Sequence, residues 1–373
     1  MRRLPALLLT LLPFALSCAT ATLHAREVAE PAAHVDADGP YLFRDGTQLH
    51  ARWVCDDRVV ERALEAGDVA TVAPQCGYAH VVQVQAPATA ATAVLPAAAR
   101  IVAVSDIHGQ YGLLVKLLRA HHVIDDADHW VLGRDTLVVA GDVFDRGPQV
   151  TEAFWLLYGL QQQAAAAGGA VHFVLGNHET MVLYDDLRYV NPKYLRSAQL
   201  LGRSYPQLYG ADSVIGQWLR TRPVLLRIGD TLFLHGGISP EALQLALAPE
   251  ATNAAYRASL GRPKAELKAD PATAPLYDGK TSPIWYRGYF DGRLDSAGVQ
   301  EVLDRLGLAR IVVGHTSMPH VSSFHGGRVI AIDSSIKKGE NGELLFIEDG
   351  KLSRGLLDGS RVPLVEGQTG LGD

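Results

Sequence analysis

The chain has 373 residues, of which 48% are hydrophobic and 20% are charged. This length suits one large domain with an attachment, or two ordinary domains, and the composition excludes a globally disordered chain. The formal net charge is −6. A nucleic-acid-binding surface needs clustered Lys and Arg, which nothing in this composition suggests, so we expect no nucleic-acid partner.

The first 21 residues have the three parts of a secretory signal peptide. Two arginines follow Met1, an apolar stretch covers residues 4–16, and small residues cover residues 17–21. The apolar stretch is too short to span a membrane. We therefore predict a signal peptide over residues 1–21, export to the periplasm and no transmembrane segment. A lipid anchor at Cys18 is the alternative, although the residues before it match a lipid-attachment site poorly.

Residues 36–85 contain strand-like segments and two cysteines, Cys55 and Cys76. In an exported chain such a pair most simply forms a disulfide, and two separate buried thiols are the alternative. We therefore predict a small β-rich module over residues 36–85, held by this disulfide. Residues 86–99 are rich in Ala, Thr and Pro and carry no charge, which is typical of a linker.

Three short apolar runs follow, and each leads to a polar residue that can bind a metal ion. The runs precede Asp106, Asp142 and Asn177, and segments with helical spacing, residues 111–122 and 151–167, lie between them. Repeated strand–helix–strand units form a parallel sheet, and ligands collect at the carboxyl ends of its strands. We therefore expect these three side chains to lie side by side at one edge of the sheet.

Further strands are predicted downstream, and two of them end in a histidine. Residues 231–234 lead to His235, and residues 310–314 lead to His315. We also predict strands over residues 328–333 and 343–348. A helical insertion is predicted over residues 241–276, and a helical segment that covers the site over residues 191–222. Lys337 and Lys338 are interpreted as a solvated turn. The predicted catalytic domain covers residues 100–350, and residues 351–373 form a C-terminal tail that frays from residue 361.

The strand ends together present two carboxylates, one amide oxygen and three imidazoles, namely Asp106, His108, Asp142, Asn177, His235 and His315. Each motif by itself is weak, but all of them fall at the end of an apolar run in the same sense. Mixed oxygen and nitrogen ligands suit Mn, Fe or Zn rather than Ca. Six ligands exceed one site, so we predict two divalent ions about 3.5–4 Å apart that share Asp142. Manganese is the first expectation, with iron or zinc as alternatives.

The motifs around these residues resemble those of a known family. Ser105-Asp106-Ile-His108-Gly109, Gly141-Asp142-Val-Phe-Asp145-Arg146-Gly147, Gly176-Asn177-His178-Glu179 and His235-Gly-Gly resemble the phosphoprotein phosphatases of the calcineurin-like metallophosphoesterase superfamily. Gly314-His315-Thr316 and Pro283-Ile-Trp-Tyr-Arg287-Gly resemble the bacterial-type Shewanella-like phosphatases. The resemblance covers about residues 98–350. It implies an α/β fold in which a β-sandwich of two mixed sheets is flanked by helices, to which the N-terminal module is added.

The resemblance also implies a division of the ligands between two metal ions. Asp106, His108 and Asp142 would hold the first ion, and Asp142 with Asn177, His235 and His315 would hold the second. Two residues depart from the family pattern: Ser105 stands where Gly is usual, and Ser317 stands where many calcineurin-like enzymes have a further His. We expect a modest local change at the first position and a water molecule as the missing ligand at the second.

The function implied is hydrolysis of phosphate monoesters, first of all those of phosphorylated proteins or peptides. A hydroxide bridging the metal ions would attack phosphorus in line. Arg146 and Arg287 would bind the phosphate oxygens, and His178, oriented by Asp145, would protonate the leaving oxygen. Glu179 is expected to support the site. The alternatives are hydrolysis of small phosphate compounds, such as nucleotides or dinucleoside polyphosphates, and a non-catalytic binding protein with the same fold.

Overall fold

The computed structural model describes residues 28–65, 69–87 and 89–369. The predicted signal peptide, its cleavage site and the alternative lipid anchor at Cys18 lie outside these residues. Within the described ranges, no helix has the length and apolar character that crossing a membrane requires.

Five strands form what we call the N-terminal region: β1 (Ala37–Asp45), β2 (Gln48–Cys55), β3 (Arg58–Glu65), β4 (Val69–Val72) and β5 (Val82–Gln85). The first three form an antiparallel sheet, and the last two pair with each other. A disulfide joins Cys55, at the end of β2, to Cys76, between β4 and β5. The predicted disulfide and the β-rich character of this region are therefore confirmed.

Thirteen strands follow in the described residues: β6 (Val94–Leu95), β7 (Arg100–Val104), β8 (Thr136–Val139), β9 (Ala170–Phe173), β10 (Leu226–Ile228), β11 (Thr231–Leu234), β12 (Arg310–Val313), β13 (Ser322–Phe324), β14 (Val329–Ala331), β15 (Leu344–Glu348), β16 (Lys351–Gly355), β17 (Arg361–Val362) and β18 (Val365–Glu366). They form two mixed sheets. One has the order β17-β16-β15-β7-β8-β9, and the other has the order β18-β13-β14-β12-β11-β10-β6.

The two sheets pack face to face. Ile101 and Ala103 of β7 belong to the apolar cluster between the sheets, together with Phe233 and Val312 of the other sheet. The alternate residues of β7 point to the opposite face and join the cluster under the helices. A strand buried on both faces reads as a continuous apolar run, which is why residues 101–104 show no polar alternation.

The helices flank the sandwich: α1 (Tyr111–Ala120), α2 (Val150–Ala166), α3 (Asn177–Leu183), α4 (Pro192–Leu201), α5 (Val214–Leu219), α6 (Leu243–Leu247), α7 (Pro249–Ser259), α8 (Lys264–Ala269) and α9 (Ser296–Leu306). Local sequence sets some of their ends. Asn191 caps α4 by accepting from the backbone N–H of Lys193, and Pro192 follows at the first helical position. The predicted β-sandwich of two mixed sheets flanked by helices is confirmed.

The N-terminal region shares its core with the helices. Tyr41 and Trp53 belong to the same apolar cluster as the buried face of α2. The fully buried Asp38 accepts hydrogen bonds from the hydroxyls of Tyr41, at 2.8 Å, and Thr151, at 3.0 Å. Trp155 donates from its indole to the carbonyl of Pro40 at 2.8 Å. The region is therefore packed against α2 through both apolar and polar contacts.

The structure corrects three of the predicted segments. Residues 86–99 are more than a linker, because β6 pairs in parallel with β10 and Ala93 is fully buried. Residues 351–366 belong to the sandwich, because β16 pairs with β15 and β18 pairs with β13. Helices α4 and α5 pack against strands of the N-terminal region, and of the predicted cover only Asn191 and Pro192 line the cleft beside the site among the described residues. Strands of two residues carry too little periodicity to be seen in the sequence.

Candidate metal centre

The predicted metal-binding residues meet at one end of the sandwich. The parallel strands β7, β8 and β9 are in register at their carboxyl ends, where Val104, Val139 and Phe173 are neighbours. Two to four residues further along each chain segment come Asp106, Asp142 and Asn177. In the other sheet, Leu234 of β11 lies level with Val313 of β12. His235 and His315 follow these two strands and extend toward the same end. All six predicted ligands, His108 included, are buried.

The backbone around the site is strained. Four of the six candidate ligands have positive φ angles in the left-handed region: Asp106 (54°), His108 (47°), Asp142 (58°) and His315 (67°). This conformation is costly for residues with a Cβ atom and is typical of functional sites. Two glycines permit the close packing, because a Cβ atom on Gly176 would collide with the Asp142 carboxylate and one on Gly314 with Ser105.

Two histidines are oriented by backbone carbonyl groups. The Nδ1 atoms of His108 and His235 each donate to a carbonyl oxygen at 2.7 Å, that of Phe144 and that of Ala140 respectively. Because a carbonyl oxygen only accepts, Nδ1 carries a hydrogen in both rings, and Nε2 of each ring faces the site.

Acceptor atoms converge on the carboxylate of Asp142. Its Oδ2 atom lies 3.1 Å from Nε2 of His235 and 3.7 Å from Nε2 of His108. Nε2 of His235 also lies 2.9 Å from Oδ1 of Asn177 and 3.2 Å from Nδ1 of His315. Where Nε2 of His235 carries no proton, these facing lone pairs repel, and a shared cation would remove the repulsion. Nε2 of His315 is buried without a hydrogen-bond partner among the described residues.

These donor atoms fit two divalent cations. One group combines His108, Asp142 and His178, the other combines Asp142, His235 and His315, and within each group the donor atoms lie within 4.8 Å of one another. Asp142 belongs to both groups, as a bridging ligand would. Asp106 lies beside the first group, with its Oδ1 atom 3.9 Å from Nε2 of His108. The donor set of carboxylate, amide and imidazole suits a transition metal.

The charges of the protein alone are unbalanced at this site. Burial, together with the nearby carboxylates of Asp333 and Asp142, raises the pKa of Asp106 to about 8. Burial disfavours a charged His235, but the carboxylates of Asp142 and Asp106 outweigh it and raise the pKa of that imidazole to about 10. Burial lowers the pKa of His108 and that of His315. The carboxylates thus draw in positive charge, which bound cations would provide.

His178 and Asp145 form a buried pair next to the ligands. Nδ1 of His178 donates to Oδ2 of Asp145 at 2.5 Å, and Nε2 lies 3.7 Å from Oδ2 of Asp142. Burial disfavours the imidazolium form of His178, but the carboxylates of Asp142 and Asp145 outweigh burial and raise its pKa. Asp145 therefore orients the ring and leaves Nε2 directed toward the centre.

Glu179 holds the loops that carry the ligands. Its carboxylate accepts backbone N–H groups of Asp142 (2.9 Å), Val143 (2.8 Å) and Gly176 (2.7 Å). It is fully buried, and burial raises the pKa of this carboxyl group, with a further contribution from Asp142. The expected supporting position of Glu179 agrees with these contacts.

The two predicted arginines lie at the edge of the centre. Arg146 stacks its guanidinium over the ring of Tyr189, 5.0 Å from the ring centroid, and its buried Nε has no hydrogen-bond partner among the described residues. Arg287 is half-buried and acts electrostatically on His315, whose pKa is lowered by burial and then by this guanidinium. Both can therefore offer N–H donors at the centre.

Three further residues lie beside the centre, and sequence reasoning missed two of them, Tyr189 and Lys337. The ring of Tyr189 lies 5.2 Å from that of His178, Trp285 packs edge-on against His315 at 5.4 Å, and Lys337 reaches the hydroxyl of Ser317. The Tyr- and Arg-rich composition after residue 188 was a signal for the first. For Lys337 the sequence offered none, because Lys337 and Lys338 resemble any exposed basic turn.

Comparison with known proteins agrees with this geometry. The model of the calcineurin-like phosphoesterase family matches residues 99–319. The crystal structure of a cold-active protein-tyrosine phosphatase of a psychrophilic Shewanella species is 41% identical, with a TM-score of 0.84, and the match covers 88% of this chain and 100% of that chain.

Two sequence relatives are more distant. Shewanella-like protein phosphatase 2 of Arabidopsis thaliana is 27% identical over 291 residues, which cover 64% of this chain and 72% of that protein. A symmetrical bis(5'-nucleosyl)-tetraphosphatase of Hamiltonella defensa is 31% identical over 143 residues, which cover 37% of this chain and 44% of that protein. The predicted family and the predicted metal-dependent phosphatase are confirmed, and the chain belongs to the calcineurin-like phosphoesterase family.

Proposed function

We propose that the protein is a two-metal phosphomonoesterase that hydrolyses phosphorylated proteins or peptides. One observation carries this proposal: the buried carboxylate of Asp142 is shared by two converging groups of metal-binding atoms, and a buried histidine–carboxylate pair and two arginines lie beside it. Such a site combines water activation, phosphate binding and proton transfer, which are the requirements for cleaving a phosphate ester.

The six converging residues would hold the metal ions. Asp106, His108 and Asp142 are assigned to the first ion, and Asn177, His235 and His315, with the shared Asp142, to the second. Bound divalent ions lower the pKa of water toward about 7 and offset the charge of a phosphoryl group. Manganese is the proposed metal, with iron or zinc as alternatives.

His178 is assigned to proton donation rather than to the first ion. Its Nε2 atom is close enough to be a ligand, but the short hydrogen bond from Nδ1 to Asp145 favours the protonated ring, which has no lone pair to offer. The protonated ring can donate from Nε2 to the leaving oxygen of the ester. Arg146 and Arg287 are assigned to the non-bridging phosphate oxygens, which their planar N–H donors match.

Phosphorylated proteins or peptides are the first candidate substrates. The Shewanella structure, named a protein-tyrosine phosphatase, is matched over its whole length, whereas the tetraphosphatase is matched over 44%. Small phosphate compounds, such as nucleotides or dinucleoside polyphosphates, remain the second candidate because the tetraphosphatase shares part of the domain.

The test is phosphate release from a substrate panel after metal removal and replacement. The purified protein is treated with a chelator, dialysed and given Mn²⁺, and then assayed with phosphotyrosine and phosphoserine peptides, nucleotides and a dinucleoside tetraphosphate. We expect no release without metal, recovery with Mn²⁺, and higher kcat/KM on the peptides. Faster cleavage of the dinucleoside compound would favour the second candidate. If the protein binds two metal ions but hydrolyses none of the substrates, the result would favour a binding protein.

We also propose that the protein is exported to the periplasm. A disulfide persists in oxidising compartments, and the pair Cys55–Cys76 is oxidised in the structure. The intact mass of the protein from fractionated cells checks this: a periplasmic chain that lacks residues 1–21 is expected, and a lipid-modified Cys18 would support the membrane-anchored alternative.

A further inference from the structure

A cleft beside the metal centre carries an excess of positive charge. It has a volume of ≈ 430 Å³, and we call it the basic cleft; its polar lining includes Arg146, Arg188, Tyr189, Lys337 and Lys338. No carboxylate is among the described residues that line it. A cavity of similar volume, ≈ 450 Å³, lies between α2 and the N-terminal region and has no predicted site residue in its lining, whereas Arg146 lines the basic cleft. Nearness to the metal centre, not volume, distinguishes the basic cleft.

Three of its cations have no acidic partner among the described residues. Arg188 is paired with Asp186, at 2.6 and 2.8 Å, and Lys264 also contacts this carboxylate at 2.7 Å. Arg146, Lys337 and Lys338 have no carboxylate within ion-pair distance in the part of the chain that the structure describes. This concentration of positive charge contrasts with the net charge of −6 of the whole chain. An anionic ligand is therefore the expected occupant.

Lys337 is held in place by the residue that departs from the family pattern. Its ammonium group donates to the hydroxyl of Ser317, which in turn donates to the fully buried Asp333 at 2.6 Å. The side chain of Gln110, two residues after His108, donates to the carbonyl oxygen of Lys337 at 3.3 Å. Lys337 is thus fixed beside the metal centre, although it lies beyond the residues that the family model matches.

The lining of the cleft favours a peptidic anion over a nucleotidic one. Aromatic side chains are the common stacking surface for a nucleotide base. Tyr189 is the aromatic residue among the described lining residues, and the guanidinium groups of Arg146 (5.0 Å) and Arg188 (5.6 Å) already stack on its ring. In the proposed function the metal ions and Arg146 would bind the scissile phosphate, which would leave the two lysines for charge elsewhere on the substrate.

We propose that the basic cleft selects phosphopeptides that carry Asp or Glu next to the phosphorylated residue, and that Lys337 and Lys338 contact those carboxylates. This inference rests on the proposed function and narrows its substrate class. An exposed charge pair changes an equilibrium constant by up to about fivefold. Two such pairs therefore predict a preference of about tenfold at low ionic strength, which decreases as salt screens the charges.

The experiment compares two phosphotyrosine peptides that differ only in flanking Glu or Gln residues. The measured quantity is the ratio of their kcat/KM values for the Mn²⁺-loaded enzyme. We expect about 10 for the wild type and a value below 1 for the double variant Lys337→Glu, Lys338→Glu. The variant Lys337→Arg, Lys338→Arg should keep the wild-type preference. Lys351→Glu, an exposed charge reversal on β16, is the matched control and should leave the ratio unchanged.

The outcomes separate this inference from the function on which it rests. Efficient cleavage of both peptides with a wild-type ratio near 1, or a ratio that charge reversal does not change, would overturn the acidic preference and leave the phosphatase in place. Cleavage of a dinucleoside tetraphosphate but of neither peptide would overturn both. Lys338→Glu alone changes an exposed side chain and should lower the ratio severalfold, which tests the proposal if the double variant misfolds.

Discussion

The metal centre and the N-terminal region are stabilised in opposite ways. The metal centre gathers buried carboxylates and imidazoles on left-handed backbone, and each such residue costs about 1–3 kcal/mol locally. The N-terminal region instead gains stability from apolar strands, a disulfide and contacts with α2. The surrounding core must therefore offset the cost of the centre. Residues that weaken a fold locally are expected to be needed for chemistry, whereas those of the N-terminal region are expected to be needed for stability.

The largest effect on turnover is expected from Asp142→Asn, which changes the carboxylate that both donor groups share. An amide retains the size of the side chain but loses the negative charge, so both metal sites weaken together. Loss of a residue that supports a metal ligand lowers metal affinity or activity by about 10–100-fold. Loss of a ligand that both metal ions share should lower kcat by more than that. The measurement is kcat on a phosphotyrosine peptide together with the number of metal ions bound per chain.

Asp126→Asn is the matched control for this variant, because Asp126 is exposed and belongs to neither group of metal-binding residues. It should retain both the wild-type rate and two bound ions. If Asp142→Asn retained full activity, or if the wild type bound at most one ion when saturated with metal, the two-metal proposal would be wrong. Either result would also contradict the expectation that the residues of the metal centre, unlike those of the N-terminal region, are needed for chemistry.

A smaller and substrate-dependent effect is expected from His178→Asn. A proton donor contributes about 10²–10⁴-fold when the leaving group is basic. The kcat of the variant should therefore fall by about that factor on an alkyl phosphate. It should fall much less on p-nitrophenyl phosphate, whose leaving group needs no proton. Steady-state kcat on the two substrates is the measurement. Equal losses on both would exclude proton donation and would support His178 as a metal ligand, as its distance from Asp142 allows.

Some parts of the metal centre and of the sandwich could be predicted from the sequence, and others could not. Asp106, Asp142 and His235 could be identified because each follows an apolar strand, and strand ends that lie in register meet in space. Lys337 could not, because its place depends on a turn between Ser335 and Gly339 and on contacts with Gln110 and Ser317. Strands β6 and β18 have two residues each, and pairing with distant strands, not local sequence, defines them.

The smallest effect on turnover is expected in the N-terminal region, from the double variant Cys55→Ser, Cys76→Ser. The disulfide closes a loop with a sequence separation of 21 residues, and loss of such a crosslink typically destabilises the fold by about 3 kcal/mol. We expect the melting temperature to fall by on the order of 5 °C. The value of kcat per folded molecule should stay at the wild-type level at 25 °C.

Thermal unfolding and kcat of this double variant are to be measured on metal-replete protein, without a thiol reductant, because thiols also bind metal ions. A lower melting temperature with unchanged kcat would show that the region contributes stability and not chemistry. A parallel loss of kcat would mean instead that strain from the N-terminal region reaches the metal centre.

The path for such coupling is short. Asp38 contacts Thr151 at the start of α2. The ammonium group of Lys193 lies 3.6 Å from the carboxylate of Asp38 and donates to the carbonyl oxygen of Pro148 at 2.9 Å. Pro148 follows the loop that carries Asp145 and Arg146, so the double variant tests whether the two regions are independent.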